Sequence, residues 1–65
     1  MAKLNVKMIR RLMSDKAFTP KEVAYRMGIS PTLLDKFLKA EAAPIDYAAN
    51  MARVLNVPII AITAA

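Results

Sequence analysis

Ten Lys and Arg against five Asp and Glu give a chain of 65 residues a net charge of +5, with neither cysteine nor histidine. A chain this short buries only about 60% of its extended surface, so one domain spanning 1–65 is expected, held by dense helix packing or by self-association. No disulfide framework, no cofactor, no metal set and no catalytic constellation is expected from scattered carboxylates alone, and no apolar run nears the roughly 20 residues needed to span a bilayer.

From about Leu4 to Ser14 the periodicity predicts a first helix. Leu4, Val6, Met8, Ile9, Leu12 and Met13 share one broad side, and Lys3, Lys7, Arg10 and Arg11 share the other with no acid among them. That basic side suits either solvent or a polyanion.

A second helix is predicted over Pro20–Met27. Thr19 and Glu22 have the spacing of a capping box, Pro20 fits the first helical position, and Gly28, the only glycine, can end the helix in a left-handed conformation. Val23, Ala24 and Met27 turn inward, and Ala24 is small enough for two helix axes to cross closely. Lys21, Tyr25 and Arg26 turn outward, where Tyr25 is expected to cover the edge of the core.

Ser30 and Pro31 repeat the start signal for a third helix that runs to Lys39. Leu33, Leu34, Phe37 and Leu38 form its apolar face, while Pro31, Thr32, Asp35, Lys36 and Lys39 fill the opposite one. Asp35 on that outer face can pair with Lys36 or Lys39.

Pro44 marks a boundary, and a fourth helix is expected from Ile45 or Asp46 to Leu55. Its outward strip is narrow, only Asp46, Asn50 and Arg53, so Ile45, Tyr47, Ala48, Met51, Ala52, Val54 and Leu55 call for more than one packing neighbour. Asn56 serves as a left-handed end, and Pro58 opens a last helical turn through Ile62, with a β-strand as the alternative because Val57, Ile59, Ile60 and Ile62 are β-branched. Ile59, Ile60 and Ile62 are divided between core and a dimer contact.

Residues 19–39 resemble the helix-turn-helix of the phage Cro and repressor type, the lambda repressor-like or Xre family. The resemblance lies in Ala24 inside the first helix of the pair, Gly28 after it, and apolar Val23, Ile29, Leu34 and Phe37 at the packing positions. Ile9 and Leu12 in the leading helix, Phe18 before the cap, and the run Ala52-Arg-Val-Leu-Asn-Val57 extend it over roughly residues 4–62. The chain departs from the family at Pro20, where a phosphate-touching glutamine is frequent, at Pro31, and in lacking a glycine after the third helix.

The resemblance implies an all-α, compact four- to five-helix bundle, and it favours a short helix near 58–62. It also implies a cytoplasmic transcriptional regulator, a repressor or Cro-like protein that binds double-stranded DNA as a homodimer on a palindromic operator. Ser30, Pro31, Thr32, Asp35, Lys36 and Lys39 are then the base-reading candidates, with pairing to Lys36 or Lys39 favoured for Asp35 over accepting from a cytosine amino group, and Arg10, Arg11, Lys21 and Arg26 the phosphate-binding ones. The alternative is a protein-interaction or antitoxin-type module that uses the same fold to hold a protein partner.

Overall fold

Side-chain caps start three of the helices. In the computed structural model, which describes residues 1–64, Asn5 Oδ1 accepts from Met8 N at 3.1 Å, Thr19 Oγ1 from Glu22 N at 3.2 Å, and Ser30 Oγ from Leu33 N at 3.1 Å. The helices that follow are α1 (Val6–Asp15), α2 (Pro20–Met27) and α3 (Pro31–Ala40); α4 (Ile45–Leu55) begins after Pro44 without a side-chain cap. A 3-10 turn, Ile59–Ala61, comes after them. The result is a mostly helical domain measuring 26 × 22 × 17 Å.

Three helix ends share one hydrogen-bond pattern. Ile29 N reaches back to Ala24 O at 3.0 Å across Gly28, Val57 N to Ala52 O at 3.0 Å across Asn56, and Phe18 N to Met13 O at 2.8 Å across Ala17. Each bridged residue has positive φ: 76° for Gly28, 58° for Asn56 and 56° for Ala17. This arrangement satisfies carbonyls that the end of a helix would otherwise leave open. Glu41, at φ 54°, ends α3 in the same left-handed region, taking the place that a glycine would fill most easily.

Besides the helices, the chain makes one small strand pairing that involves its N-terminus. Two short strands, β1 (Ala2–Lys3) and β2 (Ala42–Ala43), pair antiparallel with Ala2 opposite Ala43 and Lys3 opposite Ala42. Leu4 extends the pairing on the other side, opposite Thr63. Leu4 N donates to Glu41 O at 2.8 Å, Asn5 N to Ile62 O at 2.8 Å, and Ala64 N to Lys3 O at 2.9 Å. The first residues are therefore clasped between the exit of α3 and the C-terminal segment. Because these bonds fix Leu4 in an extended conformation, α1 starts at Val6, with Asn5 as its cap, rather than at Leu4.

Leu4 and Ile62 are 2% and 0% exposed, and they join Ile9, Val23, Leu34, Met51 and Leu55 at the centre of the core. Ala24 is fully buried, as expected of the position where α2 packs against its neighbours. Phe37 of α3 and Tyr47 of α4 pack with ring centroids 5.1 Å apart.

On α4 two residues differ from the sequence expectation. Ile45, assigned to the apolar face, is 60% exposed because it stands in the first turn after Pro44. Asn50, assigned outward, is half-buried and bridges two helices: its Nδ2 donates to Met27 O at 2.9 Å, and its Oδ1 accepts from Arg53 Nη2 at 2.7 Å. The last turn of α2, which sets the direction of α3, is thereby tied to α4. Among the described residues no helix is long and apolar enough to cross a membrane.

Candidate nucleic-acid interface

The apolar side of α3 enters the core through Leu34, Phe37 and Leu38. Its other side stays open: Ser30, Pro31, Thr32, Asp35, Lys36 and Lys39 are all exposed. The structure therefore brings the base-reading candidates together on one face. Ser30 already spends an acceptor position on Leu33 N, leaving its hydroxyl hydrogen for an outside acceptor, and Pro31 has no N–H to donate. Asp35 Oδ2 lies 3.0 Å from Lys39 Nζ, so the pairing expected for Asp35 forms with Lys39. Lys36 enters no ion pair among the described residues.

The phosphate candidates do not form a single group. Lys21 and Arg26 are both exposed, but Lys21 enters no ion pair among the described residues, whereas Arg26 also contacts its own protein. The Arg26 guanidinium lies 4.7 Å from the centre of the Phe18 ring, and its Nε is 3.8 Å from Glu22 Oε2. Arg10 and Arg11, neighbours on one basic side in the sequence, line different grooves. Arg10 borders one of about 350 Å³ with Ser14, Phe18, Thr19 and Pro20, at the start of α2. Arg11 borders another of about 250 Å³ with Asn5, Lys7 and Met8, at the start of α1.

The start of α2 is the positive end of its helix dipole, flanked by Arg10 and Lys21, and the one carboxylate of that turn, Glu22, lies 3.8 Å from Arg26 Nε. Such an arrangement attracts an anionic oxygen. Pro20 supplies no N–H there, so side-chain cations carry more of the attraction.

Tyr25 does not cover the core edge. It is 81% exposed and shares a concavity of about 300 Å³ with Thr19, Lys21 and Glu22. The position on the outer side of α2 was readable in the sequence, but the degree of exposure was not. Of the isoleucines proposed for a dimer contact, Ile62 is core and is removed from that role, Ile59 is half-buried, and Ile60 is 78% exposed. The reason is the pairing of the C-terminal segment with Leu4, which turns Ile62 inward beneath β1.

Comparison with family models, curated proteins and solved structures returns no match.

Proposed function

We propose that this chain is a sequence-specific double-stranded DNA-binding regulator in which α3 enters the major groove and α2 lies across the backbone. The observation that carries this reading is the α2–α3 pair. Its turn is held by Gly28 and its start points by Thr19 and Ser30, and α3 turns Leu34, Phe37 and Leu38 to the core and its polar face to the outside. A helix presented this way fits a groove about 12 Å wide, with its first turns on base edges. The resemblance of residues 19–39 to the Cro and repressor type supports the same reading.

In this reading Thr32 and Lys36 face bases: the threonine hydroxyl bonds a base edge or its methyl meets a thymine methyl, and the lysine donates to guanine O6 and N7. Of the phosphate candidates, Arg10, Arg11 and Lys21 have no acid partner among the described residues, and they supply attraction to the backbone. Arg26 contributes less because Glu22 and Phe18 already engage it. If each of the three meets one phosphate, the slope of log affinity against log salt is about −3 per domain.

One such helix reads only a few base pairs, so the functional unit is a homodimer on a two-fold-related operator, with half-sites about 34 Å apart or a multiple of that. Ile60 is the exposed apolar residue of the C-terminal segment and is assigned to the contact. The test is selection of duplexes from a random-sequence library at two salt concentrations, followed by sequencing. A palindromic motif supports the reading, and failure to retain DNA at low salt refutes it.

A further inference from the structure

Asp35 and Lys39 form the only carboxylate–ammonium pair on the outer face of α3 among the described residues, with Oδ2 and Nζ 3.0 Å apart. Both side chains are well exposed, 57% and 77%, and they stand on the same side as Thr32 and Lys36. The helix therefore shows the outside an acceptor and a donor at hydrogen-bond spacing.

The edge of a base pair in the major groove has the same spacing. In a C·G pair the cytosine N4 amino group donates to guanine O6, an N–H···O separation of about 2.9 Å, and both atoms keep capacity for a partner in the groove. Laid against that edge, Asp35 accepts from N4 while Lys39 donates to O6. Guanine N7, next to O6, gives the ammonium a second acceptor, and next to N4 cytosine has only a C–H, so nothing repels the carboxylate.

The other three pairs fit less well. An A·T pair also sets a donor beside an acceptor, but adenine N7 then repels the carboxylate and the thymine methyl crowds the ammonium. In the G·C and T·A orientations an acceptor faces Asp35 and the amino donor faces Lys39, so both contacts are wrong in sign. On the proposed DNA-binding reading, we propose that the Asp35–Lys39 ion pair is a two-pronged reader of one C·G base pair in a fixed orientation, with cytosine under Asp35 and guanine under Lys39. The intramolecular pair sets the two groups side by side on the reading face, and the ammonium offsets the repulsion a lone carboxylate would meet near phosphates.

The experiment runs the random-duplex selection in parallel with the wild-type chain, Asp35→Asn and Lys39→Met, at one salt concentration. Both positions are exposed on a helix, and thermal melts followed by circular dichroism check that each variant folds. Asparagine prefers adenine, to which it bonds through N6 and N7 together. The expected result is a C·G preference at one position of each half-site with the wild type. With Asp35→Asn that position turns to A·T, and with Lys39→Met its discrimination falls by about 5-fold or more. A pair that serves only the helix shifts the melts slightly and leaves base preference untouched, so identical preferences for all three proteins overturn the proposal while leaving DNA binding intact. A wild-type motif lacking the C·G position also overturns it. Absence of any motif removes the DNA-reading function itself, and the proposal with it.

Discussion

Replacing Leu4 by alanine separates an N-terminal strand from an N-terminal helical turn. Leu4 is 2% exposed, and its backbone N–H donates to Glu41 O at 2.8 Å, so truncation keeps the hydrogen bond and empties the space beneath it. Removing a buried leucine side chain to Cβ costs about 2–5 kcal/mol, the lost transfer free energy plus the cavity left behind. A chain of 65 residues has only about 3–10 kcal/mol of total stability at the usual per-residue value. A loss of about 3 kcal/mol lowers the melting temperature by roughly 12–24 °C in a domain this small. If Leu4 instead stood in a fraying first turn of α1, alanine would be neutral or slightly favourable by helix propensity. Urea denaturation followed by circular dichroism reads the difference as a shift in midpoint at unchanged slope. Lys3→Ala is the control: Lys3 is exposed on the same strand, and its loss stays within about 0.5 kcal/mol. A Leu4→Ala loss below about 1 kcal/mol refutes the clasp, because a fully enclosed leucine is not removed so cheaply.

Ala17→Gly is expected to stabilise the domain by about 1 kcal/mol, since Ala17 holds φ 56° at the end of α1 where a Cβ is strained; an unchanged urea midpoint contradicts this. Ile62→Ala should lower stability by about 2–5 kcal/mol, whereas Ile60→Asp should leave the melting temperature nearly unchanged. In sedimentation equilibrium Ile60→Asp is expected to weaken self-association, and a wild-type chain that stays monomeric on its operator removes Ile60 from that role. Arg10→Gln should reduce the salt slope of DNA binding by about 0.9, while Arg26→Gln, whose guanidinium is already held by Phe18 and Glu22, changes it little. Equal reductions would show that Arg26 leaves its intramolecular partners for phosphate.

Where the deciding chemistry is local, the sequence by itself determined the structure. Thr19 and Ser30 cap α2 and α3 through amides three residues away, and Gly28 and Asn56 end their helices through bonds that close within one turn. The two faces of α3 follow from helical periodicity, so every base-reading candidate falls on the exposed side. What only the tertiary structure decided depends on groups far apart in the chain. Ala2–Leu4 carry a pattern as compatible with helix as with strand, and their conformation is chosen by carbonyl and amide groups of Glu41, Ile62 and Ala64. That choice buries Leu4, turns Ile62 away from any dimer contact and moves the start of α1. Arg26, though still exposed, likewise lies over the ring of Phe18, and Asn50 is pulled inward by Met27 O. Periodicity records which way a side chain leaves its own helix, but an unpaired carbonyl or an aromatic face waiting on another segment exists only once the chain has closed on itself.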